Sequence, residues 1–266
     1  MATLSLRPTV GDLLRDWRQR RKLSQLDLAL EAGISARHLS FVETGRSEGS
    51  RELLSLLAER LRMPLRMRNL LLMAGGFAPV HRETALAAPE MAAARAAVDA
   101  ILKGHEPFPA LAIDRGWRMV AANAAVAPLL HAAKPHMLDA PVNVLRLSLH
   151  PDGIASSIES LAEWRHHILE RLRAQIEQTG DAELEALLAE LSAYPSPRSP
   201  RPQTSQGGIA VPLRVRMQDG AVLSFLSTTT VFGTALDVTL SELALECFYP
   251  ADDATRDALF EASQQR

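Results

Sequence analysis

The stretch that most constrains the fold of this chain is SQLDLALEAGISARHLSFVETG, at residues 24–45. Ser24 is followed three residues later by Asp27, an arrangement that caps the start of a helix. Gly33 stands where a helix can end in a left-handed turn, a conformation that glycine enters at low cost. Ser35 can cap a second helix. The pattern predicts two short helices joined by a tight turn.

The second of these helices has two different faces. Leu39 and Val42 are spaced to point inward, whereas the outer face is polar and partly basic. Helices of this kind enter the major groove of DNA. We expect five residues to face the groove: Ser35, Ala36, Arg37, His38 and Phe41. Arg37 is expected to contact bases, and the alternative for Phe41 is packing against the next helix.

The segment RRKLSQLDLALEAGISARHLSFVETGRS resembles the helix-turn-helix of the XRE family, which is also the phage-repressor and Cro family. The resemblance implies a double-stranded DNA operator as partner. It also implies an ion pair between Arg18 and Glu43. From the resemblance and from their positions at helix ends, Gln25 and Arg46 are expected to hold phosphates or to brace the docked domain. An ordinary corner inside a helical domain is the alternative.

The charge of the chain is distributed unevenly. The net charge of the chain is -2. Residues 1–82 contain 14 Lys and Arg and 8 Asp and Glu, whereas the remaining residues contain 15 Lys and Arg and 23 Asp and Glu. A basic first part can neutralise phosphates, whereas an acidic second part avoids them. The 266 residues are enough for two domains. The asymmetry therefore predicts two domains with different tasks.

Apolar periodicity divides the chain into three regions. Residues 1–76 predict an all-α, five-helix repressor-type domain, because further helical stripes flank the central pair. Residues 77–105 predict a linker and a connector helix. Residues 106–266 contain two strand patterns, then helices, then three more strand patterns. We expect this last region to be an α+β domain with a five-stranded antiparallel sheet, covered on one face by the helices between the strands.

Three local signals in the second half of the chain make separate predictions. Asp219-Gly220 is a hairpin signal between two of the strand patterns. Asn123 is expected to cap a helix that continues through NAAVAPLLHAA. Residues 196–207, SPRSPRPQTSQG, lack the apolar side chains of a core and predict a mobile loop.

Over nearly its full length the chain resembles the MmyB-like transcription regulators, which join an XRE helix-turn-helix to a PAS-like ligand-binding domain. The segments that carry this resemblance are RHLSFVETGR, HEPFPALAID, HPDGI and FGTALDVTLSELALECFYPAD. It implies a sequence-specific transcriptional regulator that senses a small ligand. The alternative is a DNA-binding protein whose second domain serves only dimerisation or protein interaction. A homodimer is expected, because one small helix-turn-helix unit covers little DNA.

A PAS-like sheet under helices leaves room for a cavity with mostly apolar walls. Residues repeating every four positions share one face of the long helix at residues 161–178, and alternate residues share one face of a strand. The expected ligand-binding residues are Leu145, Leu147, Trp164, Ile168, Leu172, Phe225, Ser227 and Val231. For each of them the alternative is ordinary core packing, and the opposite face of the strand, with Leu226, is nearly as apolar. The expected ligand is small and apolar with one polar end, similar to a fatty acid.

The sequence does not indicate a catalytic or metal-binding function. We expect no nucleophile elbow, no dinucleotide-binding motif and no phosphate-binding loop, and hence no enzyme. His166 and His167 would point about 100° apart on a helix, so a shared metal ion is not expected. Cys247, the single cysteine, is expected to be a small core residue. With no signal peptide and no apolar run of membrane length, a cytoplasmic protein without a cofactor is expected.

Overall fold

The computed structural model describes residues 8–195 and 211–264. The chain divides into two compact units, one mostly before Glu83 and the other mostly after it. The predicted loop at residues 196–207 lies outside the described residues.

The regular elements of the first unit, from residue 8 onward, are helices. They are α1 Val10–Arg20, α2 Gln25–Glu31, α3 Ala36–Glu43, α4 Arg51–Arg60 and α5 Leu65–Ala74. Their apolar stripes meet in one core, in which Trp17, Leu39 and Leu57 are completely buried. The predicted five-helix domain is confirmed.

The local signals of the central stretch act as predicted. The Ser24 side chain accepts a hydrogen bond from the Asp27 amide at 3.1 Å, and the Asp27 carboxylate accepts one from the Ser24 amide at 3.0 Å. Gly33 adopts a φ of 65°, in the left-handed region that favours glycine. Ser35 caps α3 by accepting a hydrogen bond from the His38 amide at 3.1 Å. Both helices and the turn between them are therefore encoded locally.

The contact between α1 and the end of α3 depends on Gly11. A Cβ atom at this position would lie 2.1 Å from the carbonyl oxygen of Glu43. The two helices therefore touch backbone to backbone at this point. Any side chain at position 11 would force them apart and disturb the packing of the domain.

The described residues of the second unit form one antiparallel sheet of five strands. They are β1 Ala110–Ile113, β2 Met119–Ala122, β3 Leu213–Arg216, β4 Val222–Val231 and β5 Ala244–Pro250. Their order across the sheet is β2-β1-β5-β4-β3. The predicted sheet is confirmed. Because β5 lies between β1 and β4, the last strand of the chain joins the two opening strands to the closing hairpin.

The hairpin between β3 and β4 forms where it was predicted. Gly220 has a φ of 86°, and the Met217 amide donates to the Ala221 carbonyl at 2.7 Å. Gly220 thus supplies the positive φ that a tight hairpin turn requires.

Helices lie on both faces of the sheet. They are α6 Ala92–Gly104, α7 Val144–Leu149, α8 Leu161–Thr179, α9 Ala182–Ala193, α10 Val238–Ser241 and α11 Asp253–Gln264, with 3-10 turns at Pro89–Met91, Ala127–Leu130, Pro135–Met137 and Ala155–Ser157. Helices α7 to α9 share a large core with Leu111, Val215 and Phe225, so the helices between β2 and β3 cover one face as predicted. On the other face α6 packs against Ala110 and Ala112.

The helix predicted after Asn123 does not form. The Asn123 side chain instead accepts a hydrogen bond from the Ala110 amide at 3.1 Å and donates to the carbonyls of Leu102 and Phe108 at 3.1 and 2.8 Å. These bonds tie the end of α6 to the start of β1. Only a 3-10 turn at Ala127–Leu130 follows. The prediction was wrong because the Asn123 side-chain oxygen is directed to the Ala110 amide rather than to the amides that follow it in the chain.

Candidate nucleic-acid interface and ligand cavity

The outer face of α3 presents an aromatic ring between two arginines. The guanidinium carbons of Arg37 and Arg46 lie 5.2 and 6.0 Å from the centre of the Phe41 ring, within the range of a cation–π contact. Phe41 is half-buried, and among the described residues it is not one of the side chains packed on the helical core. Core packing therefore does not account for its position.

The other residues predicted to face a groove differ in exposure. Ser35 and Arg37 are exposed, whereas Ala36 and His38 are half-buried. Ala36 packs against the helical core. Ser35 and Arg37 are thus the most accessible of the set at the start of α3.

The arginines of the first unit fall into two groups. Arg21 donates to the carbonyls of Leu61 and Arg62, at 2.9 and 3.1 Å, and thus links α1 to the end of α4. The guanidinium groups of Arg37 and Arg46, in contrast, have no hydrogen bond or ion pair with any residue that the structure describes. These two positive charges are available to an external anion.

A buried carboxylate holds three helices together beneath this face. Glu43, at the end of α3, has a fully buried side chain that pairs with Arg18 of α1 at 2.7 and 3.1 Å. Gln25 of α2 donates to the same carboxylate at 2.7 Å. Arg15 donates to the backbone carbonyl of Glu43 at 3.1 Å. The Arg18–Glu43 pair implied by the resemblance is confirmed, and the Gln25 amide is turned towards Glu43.

The protonation of Glu43 reflects these contacts. Burial by itself would raise its pKa, but the hydrogen bonds from Arg18 and Gln25 and the positive charges of Arg18 and Arg15 act in the opposite direction and prevail. The pKa of Glu43 therefore lies below its ordinary value of 4.5, and the carboxylate is charged at neutral pH.

A cavity of about 90 Å³ lies in the second unit, between the sheet and helices α7 and α8. Its walls are almost entirely apolar. The predicted ligand-binding residues that line it are Leu145, Leu147, Trp164, Ile168 and Ser227. The structure thus brings together residues from α7, α8 and β4 that are far apart in the sequence.

Three of the predicted residues do not line this cavity. Leu172 and Phe225 are completely buried within the core, and Val231 is 60% exposed at the end of β4. Val231 shares the strand face of Ser227, but this face extends beyond the helices that cover its first half. Leu226, on the opposite face, is 37% exposed.

The polar end of the cavity was not predicted from the sequence. Arg171 of α8 and Glu246 of β5 both line the cavity and form an ion pair, with Arg171 Nη1 3.0 Å from Glu246 Oε2. The Thr229 hydroxyl accepts from Arg171 at 2.7 Å and donates to Glu246 at 3.0 Å. The signal in the sequence was Glu246 itself, a charged residue inside the apolar strand ALECFYP.

Trp117 completes this polar end. The guanidinium carbon of Arg171 lies 4.7 Å from the centre of its ring, and its indole N–H donates to Gln175 at 2.7 Å. Trp117 has a φ of 63°, which is a true outlier for a bulky side chain. Such a conformation costs about 1–3 kcal/mol and persists only where the surroundings hold it.

Residues that could support catalysis or bind metal are dispersed. Within residues 8–195 and 211–264, no three His, Cys, Asp or Glu side chains form a metal-binding group. Gly45–Gly49 does match G-x-S-x-G literally, but it follows helix α3 rather than a strand and therefore forms no nucleophile elbow. Cys247 is 5% exposed, and burial raises the pKa of its thiol.

In the described part of the chain, no helix has both the length and the apolar character needed to cross a membrane.

Residues 94–261, more than half of the chain, match the ligand-binding domain of the MmyB-like transcription regulators. The chain belongs to this family. Residues 14–67 match a helix-turn-helix family. This chain therefore combines a DNA-binding helix-turn-helix unit with an MmyB-like ligand-binding domain. Both matches are to transcription regulators or their DNA-binding parts rather than to enzymes.

No curated protein matches the sequence of this MmyB-like chain. A solved structure described as an RNA-binding Light-Oxygen-Voltage receptor is similar over 98% of this chain, with 13% sequence identity and a TM-score of 0.26. The chain spans 65% of the length of that protein. At this level the likeness supports no statement about fold or function.

We expect Glu43→Gln to destabilise the first unit by about 3 kcal/mol, because Arg18 would lose its charged partner while remaining mostly buried. The pH dependence should change as well. Since the folded pKa is lowered, the charged carboxylate stabilises the fold fully above pH 4.5, and this contribution is lost as the pH falls through the folded pKa. Hydrogen exchange of peptides from α1 and α3 can be measured from about pH 3 to about pH 7, a range that includes the ordinary pKa of glutamate. The protection of these peptides should fall with decreasing pH in the natural chain and should change less in the variant.

Glu31→Gln is the matched control, because Glu31 is an exposed carboxylate on α2. It removes the same charge without touching the buried pair. Equal protection of α1 and α3 in the two variants would contradict a stabilising role for the Glu43 network.

Proposed function

We propose that this MmyB-like regulator binds a specific DNA operator through the outer face of α3 and senses a small, largely apolar molecule in its second domain. The observation that supports the DNA-binding part most directly is the pair of guanidinium groups on either side of Phe41, neither of which has a hydrogen bond or ion pair with a described residue. A DNA-binding regulator acts where the DNA is, which for a bacterial-type regulator is the cytoplasm.

The arrangement at the start of α3 favours base contacts by Arg37. An exposed arginine on a recognition helix can donate two hydrogen bonds to guanine in the major groove. Arg46 follows the helix, where a positive charge meets the phosphate backbone. Gln25 is more suited to bracing, because its amide is hydrogen-bonded to Glu43. Ser35, Ala36, His38 and Phe41 would then shape the surface that fits the groove.

The cavity supports ligand binding by the second domain. Apolar walls with a few convergent polar groups are typical of small-molecule sites. Its volume of about 90 Å³ is below the roughly 300–1,000 Å³ of most such sites. A molecule as long as a fatty acid would therefore have to move side chains or extend beyond the cavity. The same small volume is the observation that favours the alternative, a second domain that serves interaction without a ligand.

Arg37→Ala should weaken binding to the preferred duplex by about 1–3 kcal/mol and relax selectivity at one base pair. The preferred duplex can be selected from a random library with the natural chain, and affinities measured by titration at fixed salt concentration. Arg60→Ala is the control, because Arg60 is an exposed arginine on α4 and its loss changes the net charge equally. A uniform loss of affinity for all sequences would exclude base contact by Arg37.

Ile168→Phe should abolish binding in the cavity, because Ile168 lines the wall and a larger ring fills a space of about 90 Å³. A ligand at about 100 times its Kd stabilises a protein by about 2.7 kcal/mol, which a thermal-shift screen with an apolar and lipid panel detects. The control is Val231→Phe on the exposed end of β4, which should keep the shift. Mass spectrometry of the denatured natural chain would identify any retained molecule. If both variants keep the same thermal shift, the ligand binds elsewhere.

We also propose a homodimer, because dimers of helix-turn-helix proteins bind two half-sites and gain the affinity that a single unit lacks. Light scattering coupled to gel filtration should give twice the 29.0 kDa mass of the chain, either for the free protein or for the protein part of its complex with operator DNA. A monomer both free and on DNA would contradict this proposal.

A further inference from the structure

The two charged side chains at the polar end of the cavity are bound to each other. Arg171 and Glu246 form a two-pronged ion pair, and the Thr229 hydroxyl bridges them. The Glu246 side chain is 5% exposed and that of Arg171 is 29% exposed. The face of the Trp117 ring lies against the guanidinium. One positive and one negative charge therefore border the cavity and neutralise each other.

A charged ligand would disturb this pair. A carboxylate placed against Arg171 would meet the buried carboxylate of Glu246, and like charges brought together at a buried site cost several kcal/mol. Displacing Glu246 instead would leave a buried charge without its partner, which is also strongly unfavourable. An ammonium group would meet the same difficulty at Arg171.

His167, on the same helix as Arg171, adds no positive charge to this pair. His167 lies four residues before Arg171 and interacts electrostatically with both Arg171 and Glu246. Glu170 and Arg173, which are closer in sequence, pair with each other. Burial lowers the pKa of His167, and the positive charge of Arg171 lowers it further. The imidazole is therefore neutral at neutral pH.

An uncharged polar group fits the pair without separating it. A guanidinium carries five N–H groups, and three of those of Arg171 bind Glu246 and Thr229. The remaining two have no acceptor among the described residues. A carbonyl or hydroxyl oxygen can accept from them while the ion pair stays intact.

We propose that the cavity selects molecules with an apolar body and an uncharged, hydrogen-bonding head group, such as a primary amide, in preference to carboxylates and amines. This inference rests on the proposed ligand-binding function and names the ligand class for it. The apolar body is compact, since an engineered cavity of about 150 Å³ holds benzene and this cavity is smaller.

The test compares head groups on identical chains. Butanamide, butanoate and butylamine form one series, and octanamide, octanoate and octylamine form a second that covers a longer body. Each is titrated into the full chain at pH 7 while tryptophan fluorescence is followed, because Trp117 and Trp164 both line the cavity. In at least one series the amide should bind about tenfold more tightly than the acid or the amine.

Two variants should redirect this preference. Glu246→Gln keeps the shape of the side chain but leaves Arg171 with an unbalanced positive charge, so the preference should shift about tenfold towards the carboxylate. Arg171→Gln leaves Glu246 unbalanced and should shift the preference towards the amine. Circular dichroism establishes that each variant is folded, and the comparison of head groups on the natural chain stands without them.

The outcomes separate this inference from the proposed function. If the natural chain binds a carboxylate as tightly as the matching amide, the head-group inference is overturned while ligand binding stands. If no compound of either series binds, both the inference and the proposed ligand binding at this cavity are overturned. Preference for the amide, redirected by the two variants, supports both.

Discussion

The buried carboxylate of Glu43 is the interaction on which the DNA-binding part of the fold depends. Removing a carboxylate from water costs several kcal/mol, and only a complete set of donors offsets that cost. Here the donors come from different helices, Arg18 from α1 and Gln25 from α2. A rotation of α3 by one residue would turn the carboxylate by about 100° and break every one of these bonds. The network thus fixes which face of α3 points outward, and Gly11 lets α1 approach closely enough for it to form.

The second unit contains a comparable ion pair in a different setting. Glu43 is enclosed by helices, whereas Glu246 borders a cavity and shares its arginine with an aromatic ring and a threonine. In the first case the pair specifies a helix orientation. In the second case the pair joins α8 to β5 and β4 across the cavity. The helix and the sheet are therefore held together there by an ion pair as well as by apolar packing.

The contrast between predicted and missed features follows the range of the interactions involved. Ser24, Gly33 and the Asp219-Gly220 hairpin act on neighbouring residues, so their patterns could be interpreted without knowledge of the rest of the fold. Asn123 was misinterpreted because its partners lie in α6 and β1, beyond the reach of a local pattern.

The cavity shows the same limit. Helical spacing correctly grouped Trp164 with Ile168 as residues that line the cavity. Tertiary packing determines how much of β4 the helices cover. The sequence therefore could not show that Ser227 lines the cavity while Val231 is exposed. The pairing of Glu246 with Arg171 joins residues 75 positions apart. A buried glutamate in a sequence indicates that a cationic side chain lies next to it, but the identity of that side chain depends on the tertiary fold.

The left-handed backbone of Trp117 has an energetic consequence for this site. The ring lies on Arg171 only while the backbone is held at a φ of 63°. Relaxation of Trp117 to an extended conformation would release about 1–3 kcal/mol of backbone strain, while loss of the cation–π contact would cost about 0.5–2 kcal/mol. Burial of the ring, which is 5% exposed, and the hydrogen bond from its indole N–H to Gln175 add to the cation–π contact. Together these interactions outweigh the strain, so the indole is a fixed wall of the site beside Arg171 rather than a movable one.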